Sequence, residues 1–147
     1  METITAGGFI VSIAKTAQAF FDACETGKGA EVCSVYMHNH AKFTCQADSL
    51  KNVQSLAHYC NWMKNLFGPL PDGRYQLTTF AVDEARGTVI AAAVFHGTHT
   101  GDGGPVAPTG KAIATDYAYI MRFDGDKISH VTKIWNDTHA LRQAGWA

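Results

Sequence analysis

Apolar residues recur every three or four positions in the first part of the chain. This spacing predicts an amphipathic helix that extends to about Glu25 and is ended by Gly27 and Gly29. A shorter helical piece is predicted to follow, up to Met37. The apolar positions of the first helix are Phe9, Ile10, Ile13, Ala17, Phe20, Phe21 and Cys24.

The middle of the chain predicts a turn, a short strand and a second long helix. The turn is the His-Asn-His segment 38–40, and the strand is expected over Ala41–Cys45. The helix is predicted to have its N-cap at Asp48 or Ser49 and to extend to Phe67, where a Gly-Pro pair ends it. This helix is apolar on two sides, so it is either buried on both or has one side against a cavity. One stripe comprises Val53, Leu56, Cys60, Met63 and Phe67, and the other Tyr59, Trp62 and Leu66.

The second half of the chain changes to the alternating pattern of strands. Helices followed by long antiparallel strands predict an α+β fold, with the helices on the concave face of a curved antiparallel sheet. A curved sheet covered by helices in this way has the shape of a cone. The interior of the cone opens at one end, and such openings are a common setting for small-molecule sites. The predicted strands are Tyr75–Asp83, Thr88–Thr100, Lys111–Phe123 and Ile128–Trp135, followed by a short helix over Asp137–Gln143.

Length and composition indicate one globular domain over residues 1–147, with 46% hydrophobic and 17% charged residues. A formal net charge of −1 without a basic run gives no electrostatic support for binding nucleic acid. The apolar runs are too short to span a bilayer, and the N-terminus does not show the pattern of a secretory signal. We therefore expect a cytoplasmic protein that binds neither nucleic acid nor a membrane.

The four cysteines show no Cys-x-x-Cys spacing. We interpret them as reduced, mostly buried thiols, as expected in the cytoplasm. The rival interpretation is a zinc site drawn from Cys45, Cys60, His38 and His40, but their spacing is irregular. The prediction is a protein without metal or cofactor.

Two histidines lie near the end of the second long strand. His96 and His99 are three residues apart, so alternation sends their side chains to opposite faces of the sheet and they do not form a metal pair. His99 shares a face with Phe95 and is the histidine expected to face the interior, whereas His96 is expected on the outer surface.

The order of elements, taken together with three segments, resembles the nuclear-transport-factor-2-like superfamily, in its SnoaL-like polyketide cyclase branch. The resemblance covers essentially the whole chain. It implies a cystatin-like cone with a pocket for a small hydrophobic ligand, and a homodimer formed through the outer sheet face. The segments are Gly-Thr-His-Thr-Gly at 97–101, Pro-Thr-Gly-Lys at 108–111 and Arg-Phe-Asp-Gly-Asp-Lys-Ile at 122–128.

At three places where the superfamily's enzymes have an acidic residue, this chain has none. The position on the third long strand is Tyr119, and the stretch after the first short strand is Phe43–Gln46. On the last strand the corresponding position is Lys133, two residues before Trp135. The resemblance therefore specifies the scaffold better than it specifies a reaction.

Two residues are the candidate catalytic groups. The family register turns Tyr117 and Tyr119 into the pocket, where Tyr119 could donate a hydrogen bond to an oxyanion. The alternative is a core tyrosine bonded to backbone or water. His99 could transfer the proton, since histidine titrates near neutral pH, or it could cap the glycine-rich loop that follows it.

The remaining candidates bind the substrate. Lys133 could act as a base, an amine nucleophile or an anchor for an anion, or it could reach the pocket mouth or pair with Asp116 or Asp137. The pocket walls are expected to be aromatic. The predicted binding residues are Tyr59, Trp62, Phe80, Tyr117, Lys133 and Trp135.

These residues lead to two hypotheses. The first is a cofactor-free acid/base cyclase, isomerase or hydrolase that acts on a polyketide-like carbonyl compound. The second is a non-catalytic module on the same fold that binds a small ligand or dimerises.

Overall fold

The computed structural model describes residues 2–4 and 10–147, with side chains from Ser12 onwards. Phe9, predicted as part of the first helix, lies outside the described residues. In the described part, the helices are α1 (Ile13–Glu25), α2 (Gly29–Cys33), α3 (Leu56–Leu66) and α4 (Asp137–Ala144). The strands are β1 (Glu2–Ile4), β2 (Ile10–Ser12), β3 (Met37–Cys45), β4 (Arg74–Asp83), β5 (Thr88–Thr98), β6 (Ala112–Asp124) and β7 (Lys127–Trp135).

Five of the strands form one curved, unclosed sheet in the order β3-β7-β6-β5-β4. The pairs β4–β5, β5–β6 and β6–β7 are antiparallel, as a meander requires, whereas β3 runs parallel to β7. Helices α1 and α3 cover the inner face of the sheet. The predicted α+β class is confirmed.

The prediction of a turn over residues 38–40 is wrong. These residues belong to β3, which pairs with β7 at Met37 and over Lys42–Cys45, and they lie in the intervening stretch where that pairing shifts register. The pairing shifts register between Met37 and Lys42, which are opposite Ile128 and His130 respectively. Ile10 also differs from the prediction, because it lies in β2, paired with Ile4, and not in the first helix.

The predicted N-cap of the second long helix is also wrong. Asp48–Leu50 forms a separate 3-10 turn, and α3 begins after Ser55, whose Oγ accepts a hydrogen bond from the backbone N–H of His58 at 3.1 Å. The 3-10 turn is bound to the start of α4, because the Asp137 carboxylate accepts hydrogen bonds from the backbone N–H and the hydroxyl of Ser49.

Alternation along the long strands decides which side chains enter the core. On β5 and β6 every second side chain is buried, and the buried set faces the two covering helices. Burying one such apolar side chain contributes about 1.5–3 kcal/mol, so this face fixes the strand register. The buried residues include Ala91, Ala93 and Phe95 on β5, and Thr115, Tyr117, Tyr119 and Met121 on β6.

We expect Ser55→Ala to lower the free energy of unfolding by about 1 kcal/mol, because the first turn of α3 loses a hydrogen-bond acceptor. Urea denaturation followed by circular dichroism measures the change. Asp48→Ala is the matched control, and its effect should stay within about 0.5 kcal/mol. A larger loss for Asp48→Ala than for Ser55→Ala would show that the helix is capped at the earlier position.

Candidate active site

A carboxylate and an ammonium group are buried together beneath the covering helices. Glu25, the last residue of α1, is 1% exposed, and Lys133, near the end of β7, is 5% exposed. Buried charges cost several kcal/mol each unless paired and hydrogen-bonded, so their surroundings must compensate them.

Tyrosine hydroxyls connect the two charges in a continuous chain. Lys133 Nζ donates to the hydroxyl oxygen of Tyr59 at 2.9 Å, and the Tyr59 and Tyr119 hydroxyl oxygens are 2.7 Å apart. The hydroxyl of Tyr119 donates to Glu25 Oε2, so its own oxygen is free to accept from Tyr59. Tyr117 donates to the other oxygen, Glu25 Oε1. We call this chain from Lys133 through Tyr59 and Tyr119 to Glu25 the tyrosine relay.

Four aromatic rings surround the ammonium group of Lys133. Its Nζ lies 4.4 Å from the ring centroid of Trp135 and 5.0 Å from that of Tyr59. The corresponding distances to Tyr117 and Trp62 are 5.3 and 5.5 Å. The negative faces of aromatic rings attract a cation, which helps to hold Lys133 charged in this dry place.

The environment moves the pKa values of the two charged groups towards each other. Burial raises the pKa of Glu25, although Lys133 and the two donating tyrosines oppose the rise. Burial lowers the pKa of Lys133, and the charge of Glu25 opposes that fall. Burial also raises the pKa of Tyr59, Tyr117 and Tyr119, so these hydroxyls keep their protons.

Three adjoining cavities lie beside this cluster. The first cavity, about 20 Å³, has mostly apolar walls but is also lined by Glu25, Tyr117 and Lys133, and we call it the polar cavity after these three residues. The apolar chamber, about 80 Å³, shares the walls Phe95, Thr115 and Trp135 with it. The outer cavity, about 200 Å³, is lined in part by Gly103, Gly104 and Pro105 of the glycine-rich loop, residues 99–111, which joins β5 to β6. Trp62 and Leu66 line all three.

The structure brings six of the eight predicted site residues together. Four line the polar cavity: Trp62, Tyr117, Lys133 and Trp135. Tyr59 and Tyr119 lie behind them as the middle of the tyrosine relay. Cross-strand pairing explains part of this assembly, because Tyr119 lies opposite Lys133 and Tyr117 opposite Trp135.

His99 does not line any of these three cavities. It is completely buried at the start of the glycine-rich loop, where its Nδ1 accepts hydrogen bonds from Trp146 Nε1 at 2.9 Å and from the Thr109 backbone N–H at 3.2 Å. A side chain at Gly104 would lie 3.0 Å from His99 Nε2. The ring therefore anchors the loop, as one of the two sequence interpretations anticipated.

The other sequence candidates lie away from the cluster. Phe80 is half-buried on β4, opposite Ala91. His96 is near the outer face, where its ring contacts the side chain of Gln76. Among the residues that the structure describes, no group of three or more His, Cys, Asp or Glu side chains could hold a metal ion. No helix of the described chain is long and apolar enough to cross a membrane.

Glu25 is the buried charged residue of the candidate site that the sequence analysis missed. It occupies the same helix face as Ala17 and Phe21, at successive intervals of four residues, and thus continues the buried stripe of α1. A carboxylate in register with an apolar stripe is the signal that identifies it. The sequence analysis predicts only that the first helix ends near Glu25.

The chain belongs to the SnoaL-like polyketide cyclase family, whose model matches residues 13–144. This confirms the resemblance inferred from the motifs. No curated protein matches the sequence.

Several solved structures have the same fold as this chain. IdmH from Streptomyces antibioticus is 16% identical, with a TM-score of 0.75 over 91% of this chain and 99% of that one. A protein with a ketosteroid isomerase-like fold from Catenulispora acidiphila, in complex with trimethylamine, is 15% identical, with a TM-score of 0.66 over 90% and 94%. A cystatin-fold protein from Novosphingobium aromaticivorans is 20% identical, with a TM-score of 0.60 over 84% and 97%. At these identities the likeness establishes the fold.

We expect Lys133→Met to make stability depend on pH through Glu25. Without the ammonium charge, the pKa of Glu25 rises further above its unfolded value, so the folded state holds the proton more strongly. Stability is then greatest in acid. It falls as pH rises from the unfolded pKa to the folded one, by up to about 1.4 kcal/mol per pH unit. Urea denaturation at a series of pH values measures this slope.

The double variant Glu25→Gln/Lys133→Met is the control, since neither of its substituted side chains titrates. It should lack the slope. An equal slope in the single and double variants would mean that another group is responsible.

Proposed function

We propose that the protein is a cofactor-free acid/base enzyme, a cyclase or isomerase, that acts on a small hydrophobic carbonyl compound of the polyketide type. The observation that carries this proposal is a buried carboxylate and ammonium, joined by the tyrosine relay, beside an apolar chamber. Membership of the SnoaL-like polyketide cyclase family supports it.

Glu25 is assigned the proton transfer. Its carboxylate lines the polar cavity, and its raised pKa makes it a stronger base than an exposed carboxylate. A carbonyl compound whose oxygen enters this cavity would present an adjacent C–H bond to Glu25. Removal of that proton gives an enolate, the nucleophile in a ring closure and the intermediate in an isomerisation.

Tyr117 and Lys133 are assigned the stabilisation of the enolate oxygen. The Tyr117 hydroxyl donates to Glu25 while the carboxylate is charged. Once Glu25 takes the substrate proton, its oxygen becomes a weaker acceptor and the hydroxyl can turn to the substrate oxygen. The donor is thereby released when negative charge develops on the substrate.

The sequence alone predicts that His99 transfers the proton and that Tyr119 donates a hydrogen bond to the oxyanion. The proton transfer is assigned to Glu25 instead because His99 Nδ1 accepts hydrogen bonds from Trp146 and the Thr109 backbone, and because His99 lines none of the three cavities. Tyr119 contributes through the relay, since its hydroxyl lies between Tyr59 and Glu25.

A non-catalytic binding module is the second candidate, and it is favoured by the lack of acidic residues at the three positions where the superfamily's enzymes have them. For either function, the ligand must fit the cavities. The apolar chamber of about 80 Å³ is smaller than the roughly 150 Å³ cavity that holds a benzene ring in another protein. A ring-sized ligand therefore requires the glycine-rich loop or Trp146 to move. A homodimer and a cytoplasmic location stay predictions.

We expect the protein to catalyse exchange of the α-hydrogens of cyclohexanone with solvent deuterium, followed by proton NMR. Glu25→Gln keeps the size and hydrogen-bonding shape of the side chain but removes the base. It should slow the exchange by about a hundred- to ten-thousandfold.

His99→Gln is the comparison variant and should retain the exchange, with circular dichroism to verify its fold. Loss of exchange in a folded His99→Gln protein, with Glu25→Gln unaffected, would return the role of base to His99. Binding of cyclohexanone without exchange in the wild-type protein would favour the binding module.

A further inference from the structure

We propose that Lys133 is a nucleophile that forms a covalent imine with ketones and aldehydes in the polar cavity. This inference rests on the proposed function, because it specifies the chemistry of the same site. It restricts the substrate class from carbonyl compounds in general to those that form an imine, in which an amine adds to the carbonyl carbon and the oxygen leaves as water.

The tyrosine relay supplies the neutral amine that this reaction needs. Each of its hydrogen bonds points from Lys133 towards Glu25 when the lysine is charged and the glutamate is ionised. A shift of one proton along each bond delivers a proton to Glu25 and leaves Lys133 as a free amine. No bulk water is required, and both tyrosines end with a proton.

The surroundings make this shift accessible. Burial disfavours the charged form of both end groups, since it lowers the pKa of Lys133 and raises that of Glu25. The charged and neutral forms of the pair are therefore closer in free energy than they would be in water. Desolvation in an apolar pocket is one of the ways in which proteins activate a lysine as a nucleophile.

The two inner cavities would hold different parts of the substrate. The polar cavity of about 20 Å³ has room for about one water molecule, which is the size of a carbonyl oxygen and of the water that imine formation releases. The apolar chamber lies across the shared walls Trp62 and Trp135 and would take the hydrocarbon skeleton.

Atoms and charge balance in the step. The Lys133 nitrogen forms a bond to the carbonyl carbon, and the carbonyl electron pair moves to oxygen, which takes up a proton from the nitrogen through the neighbouring acid groups. Glu25, protonated through the relay, then gives its proton to the hydroxyl as the C–O bond breaks. The products are a protonated imine on Lys133, one water molecule and an ionised Glu25.

The protonated imine keeps the positive charge where the ammonium group was. The four rings around Lys133 Nζ remain within cation–π distance of it, and the Glu25 carboxylate remains its counterion. The cationic imine makes the adjacent C–H bond more acidic, so Glu25 removes that proton to give a neutral enamine. Esters and carboxylates do not follow this route.

Reductive trapping tests the inference. The full-length protein is incubated at neutral pH with cyclohexanone and sodium cyanoborohydride, which reduces a protonated imine to a stable secondary amine. We expect a mass gain of one cyclohexyl group, which peptide mapping places on Lys133. The label should form faster there than on exposed Lys42, because burial lowers the pKa of Lys133 and leaves more of it as free amine at neutral pH.

Two variants separate nucleophilicity from simple exposure. Lys133→Arg keeps the cation but has no amine, and it should lose the label at this position. Tyr59→Phe keeps the ring and interrupts the relay, so labelling of Lys133 should slow and should require higher pH. Tyr75→Phe is the matched control, because the Tyr75 hydroxyl bonds to exposed Asp22 and lies outside the relay.

Labelling of Lys133 tests the imine, and deuterium exchange tests the proposed acid/base function, so failure of one can be distinguished from failure of the other. Deuterium exchange into cyclohexanone without a label on Lys133, or with equal labelling of Lys133 and Lys42, overturns the imine and leaves acid/base catalysis standing. Absence of both exchange and label overturns both proposals. Selective labelling that Tyr59→Phe slows and Tyr75→Phe does not supports the imine.

Discussion

The connection of Glu25 to Lys133 through the tyrosine relay is the constraint on which the arrangement of the site depends. Each charge is costly to bury, and only a counterion together with hydrogen bonds offsets that cost. The counterions come from the end of α1 and from β7, and the hydroxyls come from α3 and β6. Four elements must therefore meet at one point, and displacement of any one leaves a charge uncompensated.

The sequence predicted the sheet better than its connections. Alternation and tight turns defined the four long strands to within one or two residues at each end, because register follows from which face is buried. The parallel pairing of β3 with β7 joins residues far apart in the chain and has no local signature. Without that partner, the polar segment His38–His40 has the composition of a turn.

The candidate site also contains residues that local sequence patterns predict and residues that they do not. Parity on β6 and β7 correctly placed Tyr117, Tyr119, Lys133 and Trp135 on one face. His99 has the parity of that face but meets the Trp146 indole and the loop, contacts that come from the end of the chain. Glu25 was missed because a carboxylate at a helix end is normally solvated, and only the folded structure places tyrosines above it.

Under the proposed function, the position of the Glu25 carboxylate explains how a chain without the expected acidic residues can have an acid/base site. The sheet positions where the superfamily's enzymes have acidic residues include Tyr119 and Lys133 in this chain. Here the acid comes from the facing helix, and these two sheet residues become its hydrogen-bond donor and its counterion. Because the cone brings helix and sheet to one cavity, the acid can come from either side. What the chemistry requires is an acid and a cation close enough to exchange a proton, beside an apolar chamber that excludes water. An exchange of roles between helix and sheet preserves that relation, although it removes the sequence pattern by which the site would be recognised.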